Sequence, residues 1–196
     1  MKSNKIELSL YLIIIGICST LASIIVSICY NELFIKVYGV MLLGIVIVII
    51  VDGLTAGLYR LLPEKFADFT NKFYTVKKRE KNFYEKLKIK VWKEKIPEIG
   101  HFTGFRKNQI SEPNNPEYIR RFLIEICYGE SGHILSVFTG FLLLVIPWFK
   151  PIWLPLALVI AIVNGILNLM PVMVLRYNSY TLQIIYNRLS RRNKTN

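Results

Sequence analysis

The sequence predicts an all-α protein: a polytopic membrane helical bundle with four transmembrane helices and interfacial helices in a long cytoplasmic loop. Hydrophobic residues make up 53% of the 196 residues, and they are concentrated in runs long enough to cross a bilayer. The formal net charge is +12, and nearly all of the charge lies outside those runs. Aromatic residues are interleaved with Lys and Arg in the long polar segment, a mixture typical of the headgroup region.

The four hydrophobic segments are expected to form one membrane domain that covers residues 1–196. The predicted spans are about 8–29, 33–51, 133–147 and 152–175. Short turns at 30–32 and 147–151 join the first pair and the second pair. The first run is too long for the core of a signal peptide, and no small-residue cleavage site follows it, so we expect it to remain as an anchor.

The distribution of positive charge predicts the orientation. Residues 60–121 contain sixteen Lys and Arg against eight Asp and Glu, and the tail at 176–196 is also basic, whereas the short turns carry almost no charge. The positive-inside rule therefore places both termini and the basic segment, about 52–118, in the cytoplasm of a protein of the cell membrane. A basic balance can also indicate nucleic acid. The flanking spans favour anionic lipid headgroups instead, and no nucleic-acid partner is expected.

Neither a disulfide framework nor a metal site is indicated. The three cysteines form no Cys-x-x-Cys motif. Helical di-metal sites use two Glu-x-x-His pairs, and this chain has one, because His101 is its only histidine besides His133. We expect no metal and no cofactor.

A first group of ionisable residues lies where the third long helix is expected to enter the membrane. Glu125, Glu130 and His133 follow a predicted helix start at Glu117. At 100° per residue, His133 lies about 80° and Glu130 about 140° round the helix from Glu125, so the three share one side. Glu130 and His133 are one turn apart and can touch, which would orient the imidazole as a general base. The alternative is an interfacial ion pair that only orients the helix.

A second polar group lies on the fourth span and contains Asn164, Asn168 and the Arg-Tyr-Asn sequence at 176–178. A tight turn should make the third and fourth spans antiparallel neighbours. Counting residues outward from that turn places Asn164 and Asn168 level with His133, and Arg176 near the level of Glu125. The alternative is polar contact between helices, with Arg176 and Tyr177 as interface anchors.

Taken together, these segments resemble the bacterial glycosyl-4,4′-diaponeurosporenoate acyltransferase family, whose small membrane proteins complete staphyloxanthin-type carotenoids. The resemblance covers about residues 61–192. The segments that carry it are Leu62-Pro63-Glu64-Lys65, the stretch from Tyr84 to Pro97, Glu125-x4-Glu130-x2-His133, Asn168 and Arg176-Tyr177-Asn178. The chain departs from the family pattern at Tyr128, Leu175 and Ser179, and its first span lies outside the resemblance.

The resemblance implies transfer of a fatty acyl chain to a hydroxyl of a membrane glycolipid, such as a glycosylated carotenoid or isoprenoid. It implies that His133, oriented by Glu130, deprotonates a sugar hydroxyl, with Glu125 in the same catalytic set. It also implies that Arg176, with Asn168, stabilises the oxyanion or holds a donor phosphate.

The implied partners are membrane lipids, the glycolipid acceptor and an acyl donor such as acyl-CoA, which is a substrate rather than a cofactor. The expected substrate-binding residues are Asn168, Tyr177, Asn178, Trp92 and Lys93. The alternative function is a non-enzymatic membrane protein that binds lipid or serves as an accessory subunit, in which Glu130, His133 and Arg176 are structural.

Overall fold

The computed structural model describes residues 2–96, 105, 109–146 and 149–195. Its regular structure is helical, which confirms the predicted all-α class. The helices are α1 (Lys2–Tyr30), α2 (Phe34–Arg60), α3 (Lys78–Lys86), α4 (Ile89–Trp92), α5 (Pro116–Thr139) and α6 (Trp153–Thr195). Short 3-10 segments occur at Glu64–Ala67, Lys93–Lys95 and Gly140–Val145.

Four of the helices, α1, α2, α5 and α6, are long and apolar enough to cross a membrane, as predicted. The turn between α1 and α2 passes through Asn31, whose φ of 51° is in the left-handed region that asparagine tolerates better than most residues. Residues 147 and 148 of the second predicted turn lie outside the described part of the chain.

Two of the helices extend well beyond the predicted spans. α2 continues past residue 51 to Arg60, and α6 continues past residue 175 to Thr195 as one helix of 43 residues. Pro171 lies inside α6 without ending it. A proline removes one backbone hydrogen bond, and packing against α5 on both sides of Pro171 holds the helix together. The basic tail is therefore part of the fourth helix rather than a separate element.

The third long helix begins where the sequence predicts. The side chain of Asn115 accepts hydrogen bonds from the backbone N–H groups of Glu117 at 3.0 Å and Tyr118 at 3.2 Å, which caps α5. At its other end the α-helix gives way to the 3-10 segment at Gly140–Val145. This segment rises more per residue than an α-helix, so it shifts the register of α5 against α6.

A hydrophobic cluster joins α1, α2 and α6 on the side of the short turns. Val37, Met41, Trp153 and Leu156 are among its buried members. Gly44 allows the close approach of α2 to α6, because a Cβ there would lie 2.5 Å from Cδ1 of Ile160. The outer faces of α1 and α2 expose many large apolar side chains, as expected where lipid replaces water.

We call the described part of residues 61–115, between α2 and α5, the interfacial segment. It folds against the halves of α5 and α6 that lie away from the short turns. Ala67 and Tyr74 are buried against α5 beside Cys127. Tyr84 and Ile89, from α3 and α4, are buried against α6. The segment thus contains helices, as predicted, and it holds polar side chains against the two helices that carry the candidate site residues.

Candidate active site

The predicted meeting of the two polar groups is confirmed at His133. Its Nδ1 lies 2.9 Å from Oδ1 of Asn168. Nδ2 of Asn168 donates to Oδ2 of Asp52 at 3.0 Å and to Oδ1 of Asn164 at 3.0 Å. Helices α2, α6 and α5 contribute Asp52, Asn168 and His133, respectively, and we call these three residues the Asp52–Asn168–His133 relay.

The relay determines the tautomer of His133. A carboxylate only accepts hydrogen bonds, so the NH2 group of Asn168 faces Asp52 and its oxygen faces His133. Nδ1 of His133 therefore carries the proton and donates a hydrogen bond to Oδ1 of Asn168. Nε2 is left with its lone pair, and none of the described residues hydrogen-bonds to it. The His133 side chain is partly exposed, and an imidazole nitrogen with a free lone pair can accept a proton.

Asp52 is a site residue that the sequence analysis missed. The predicted end of the second span at residue 51 placed Asp52 in the cytoplasmic segment, but α2 continues past it. One oxygen of Asp52 accepts from Thr139 Oγ1 at 2.9 Å and the other accepts from Asn168. Asp52 is the only acidic residue between positions 33 and 60. A lone carboxylate in such an apolar helix is costly unless it has a function or a partner, and that signal could have found it.

The predicted contact between Glu130 and His133 is wrong. The side chain of Glu130 is completely buried, and its Oε1 accepts a hydrogen bond from Nη1 of Arg176. Its Oε2 has no partner in the described part of the protein. Spacing along one helix shows which side chains can touch. It does not show that better partners, Arg176 and Asn168, face these two residues from α6.

Arg176 joins three segments of the chain. Its Nε and Nη2 donate to the two oxygens of Glu80 at 2.5 and 3.0 Å. Its Nη1 donates to the backbone oxygen of Phe73 at 2.9 Å and to Glu130. Four of the five guanidinium N–H groups are thus engaged within the protein. The arrangement fits a positioning residue better than the expected oxyanion or phosphate contact.

Residue counting predicted that Glu125 lies near Arg176, but the two side chains do not pair. It forms an ion pair with Arg60 at the end of α2. Side chains on a helix point toward its N-terminus, so Arg176 reaches back along α6 by about a turn. Glu130 points the opposite way in space because α5 is antiparallel to α6, and the two side chains therefore meet.

Three of the predicted substrate-binding residues, Trp92, Lys93 and Tyr177, lie together where the end of α4 packs against α6. Trp92 packs against the buried cluster that contains Tyr177, and Nζ of Lys93 lies 6.0 Å from the centroid of the Tyr177 ring. The Tyr177 hydroxyl donates to Glu85 at 3.3 Å. Asn178, the next residue of α6, is partly buried. Asn168 is separate from this group, because it belongs to the Asp52–Asn168–His133 relay.

A comparison with protein families matches residues 70–188 to the family described as glycosyl-4,4′-diaponeurosporenoate acyltransferase. The chain belongs to this family. The matched range includes His133, Asn168, Glu130 and Arg176, whereas Asp52 lies outside it. No curated protein and no solved structure matches the chain.

Glu80 and Tyr84 of α3, which lie in the range matched to the acyltransferase family, face α6. Burial disfavours the charged form of Glu80, but hydrogen bonds from Arg176 and Tyr84 outweigh it and hold the pKa of this carboxyl below its usual range. The Tyr84 hydroxyl donates to Glu80 at 2.7 Å. Burial, followed by this hydrogen bond to a carboxylate, raises the pKa of Tyr84. The pair thus keeps a neutral phenol and an ionised carboxylate against Arg176.

Tyr74 forms a further link between the interfacial segment and α5. Its hydroxyl lies 2.6 Å from Oγ of Ser131 and donates to the backbone oxygen of Phe66 at 2.9 Å. Burial raises the pKa of Tyr74, so it remains neutral.

The described residues contain no group of three or more His, Cys, Asp or Glu side chains placed to hold a metal ion, and His101 lies outside them.

Proposed function

We propose that this protein is a membrane acyltransferase that moves a fatty acyl chain to a hydroxyl of a membrane glycolipid. Membership of the family supports the class of reaction. The observation that carries the proposal is that Asn168 bridges His133 and Asp52, which leaves Nε2 of His133 as an oriented proton acceptor. Such a base is what a sugar hydroxyl needs in order to attack an acyl carbonyl.

In the proposed reaction, Nε2 of His133 takes the proton of the sugar hydroxyl while the oxygen of that hydroxyl attacks the acyl carbonyl. The tetrahedral intermediate then collapses, the bond to the donor's leaving group breaks, and that group takes the proton from Nε2. Asn168 fixes the ring orientation throughout, as an amide does in other histidine sites. The negative charge of Asp52 favours the imidazolium that forms between the two proton transfers.

The other site residues support this centre without touching the reacting atoms. Arg176 and Glu130 hold the interfacial segment and α5 on α6. Glu125, in its ion pair with Arg60, fixes the end of α2 beside α5.

The substrates are proposed by chemical class. The acceptor is a glycosylated carotenoid or isoprenoid, as the family description suggests, with its apolar chain in the surrounding lipid. The donor is an acyl thioester such as acyl-CoA, whose headgroup lies near Trp92, Lys93, Tyr177 and Asn178. Lys93 supplies a positive charge for a phosphate there, and Trp92 supplies an aromatic surface.

We also propose that the protein lies in the cell membrane with both termini in the cytoplasm. The motive is the concentration of Lys and Arg in the interfacial segment and the tail. Single cysteines at Asn31 and Asn193, which are both exposed, test this orientation in a variant without native cysteines. An impermeant thiol reagent should label position 31 in intact cells and label position 193 only after lysis. Labelling of position 193 in intact cells contradicts the orientation.

The direct test of the reaction is mass spectrometry of membrane lipids from cells with and without the protein. The expected result is a glycolipid heavier by one fatty acyl group, less the water lost, that appears only with the active protein. His133→Ala, expressed at the same level, is the matched control and should give no such species. Loss of the species in cells that lack the protein, combined with normal amounts in the His133→Ala strain, would favour an accessory subunit over an enzyme.

A further inference from the structure

The two faces of α3 differ sharply in their contacts. Glu80 and Tyr84 point inward to Arg176 and α6. The opposite face lines an open recess of about 520 Å³, whose side chains are Lys78, Arg79, Asn82, Phe83 and Lys86. Their spacing of three, four and seven residues is that of one side of a helix. Because the inner face is fixed by its hydrogen bonds, the direction of the outer face is fixed as well.

Within the part of the protein that the structure describes, the three cations of the recess have no counter-ion. Lys78, Arg79 and Lys86 are exposed and form no ion pair with the described residues. Elsewhere on the same helix, Lys81 lies 3.5 Å from Glu85. Phe83 lies among the unpaired cations with 52% of its surface exposed. An exposed aromatic ring between unpaired cations is not what an ordinary solvated helix face shows, and it is the composition of helices that lie at a membrane surface.

The position of α3 in the fold identifies the kind of surface that it meets. Its inner face holds Arg176, which is the first charged residue after the apolar part of α6. α3 therefore lies at the depth where the hydrocarbon of a membrane gives way to headgroups. Leu87, which directly follows α3, and Phe73, five residues before its start, are also exposed, by 42% and 53%. Apolar side chains can enter the acyl boundary there while the cations meet phosphate.

We propose that the outer face of α3 is a binding site for the phosphodiester headgroup of an anionic phospholipid. Lys78, Arg79 and Lys86 contact the phosphate and the anionic headgroup, Asn82 donates to a phosphate oxygen, and Phe83 enters the acyl region beside them. A bound lipid at this site holds α3, and through Glu80 also Arg176, against the membrane surface. The site is separate from the Asp52–Asn168–His133 relay and does not depend on acyl transfer.

The test is native mass spectrometry of the full-length protein in neutral detergent, titrated with short-chain phosphatidylglycerol or phosphatidylcholine. The wild type should bind phosphatidylglycerol in preference to phosphatidylcholine. The triple variant Lys78→Gln/Arg79→Gln/Lys86→Gln should bind phosphatidylglycerol on the order of 100-fold more weakly, at about a factor of five for each cation. Its thermal unfolding should match that of the wild type, because these side chains make no ion pairs with the described residues.

The matched control is Lys72→Gln/Arg121→Gln/Lys150→Gln, which removes the same three charges from other exposed positions. It should keep the wild-type affinity for phosphatidylglycerol. Equal losses in the two triple variants would show a general effect of charge and would overturn the site, as would unchanged affinity in the α3 variant. Displacement of phosphatidylglycerol by coenzyme A from the wild type but not from the α3 variant would overturn the phospholipid assignment in favour of a soluble ligand.

Discussion

Arg176 on α6 donates a hydrogen bond to Glu130 on α5, whose side chain is completely buried. The same guanidinium holds both oxygens of Glu80, so one cation connects α3, α5 and α6. Removing one partner of a buried ion pair is strongly destabilising because it leaves an uncompensated charge. This arrangement predicts that the main role of Arg176 is to stabilise the folded site.

Arg176→Met should lower the free energy of unfolding by about 3–5 kcal/mol. Methionine keeps much of the apolar stem but leaves the Glu130 carboxylate without its cation. Denaturation of the purified protein with SDS in mild micelles measures the change. The double variant Arg176→Met/Glu130→Gln should recover part of the loss, because it also removes the buried charge. A double variant less stable than Arg176→Met alone would contradict this account.

Gly140→Ala should disturb the relay through Asn164, although Gly140 is not itself a residue of the relay. A Cβ at position 140 would lie 2.9 Å from Nδ2 of Asn164, and Oδ1 of Asn164 holds the amide of Asn168. We expect about a tenfold loss of acyl transfer, since small misplacements of catalytic groups have large effects on rate.

Gly132→Ala, on α5 just before the 3-10 segment that contains Gly140, is the control for Gly140→Ala. Its Cβ would meet Ala56 at 3.5 Å, an ordinary contact. This variant should keep nearly the wild-type rate in the same transfer assay. Equal rates for the two alanine variants would contradict the link between Asn164 and the site.

Glu80 predicts how the attachment of α3 depends on pH. Its pKa is lowered in the folded state, so its ionised form adds stability above the ordinary glutamate pKa, and this stability is lost as the pH falls through the lower folded value. The attachment should be intact at neutral pH and weaken only below about pH 4. Hydrogen exchange in α3, corrected for the intrinsic rate at each pH, measures this.

Glu80→Gln should show at neutral pH the fast exchange that the wild type shows only in acid. Glu117→Gln, which removes an exposed carboxylate that pairs with Arg120 on α5, serves as the control and should leave α3 protected. Fast exchange of wild-type α3 already at pH 6 is the outcome that this account forbids.

Much of the fold follows from hydrophobicity, charge and turn residues. The apolar runs predict the four long helices, and Pro116 marks the start of α5. The helix ends are harder, because a charged residue such as Asp52 or Arg176 ends an apolar pattern without ending the helix. The meeting of His133 with Asn168 could be predicted because antiparallel helices joined by a short turn pair residues at equal depth.

The partners of the individual side chains could not be predicted in the same way. Glu130 and His133 are neighbours on one helix, yet each bonds to a residue of α6. Glu80 reaches Arg176 only because the interfacial segment folds back onto α6, which no local pattern shows. Asp52 joins the site through a third helix, α2, whose rotation about its own axis depends on the packing of the whole bundle.

The relay predicts which variants act as one unit. Asp52→Asn should lower turnover by roughly 10–100-fold, because it removes the charge that favours the imidazolium and replaces one of the two accepting oxygens of Asp52 with an NH2 group. The double variant Asp52→Asn/His133→Ala should be little worse than His133→Ala alone, since members of a catalytic unit are not additive. Thr139→Val, which removes the hydrogen bond to the other oxygen of Asp52 and the local contact with the Ser136 backbone oxygen, should cost less than Asp52→Asn. Multiplicative losses in the double variant would contradict a relay.

The central claim is that His133 is the general base, and the turnover of purified His133→Ala tests it most directly. Acyl transfer is measured in detergent micelles with the donor and acceptor that the lipid analysis identifies, and each rate is divided by the amount of folded protein. The account predicts a rate lower by roughly 10²–10⁴-fold, the usual contribution of acid–base catalysis, with the helical content unchanged. A His133→Ala protein that transfers acyl chains at the wild-type rate per folded molecule would contradict the account.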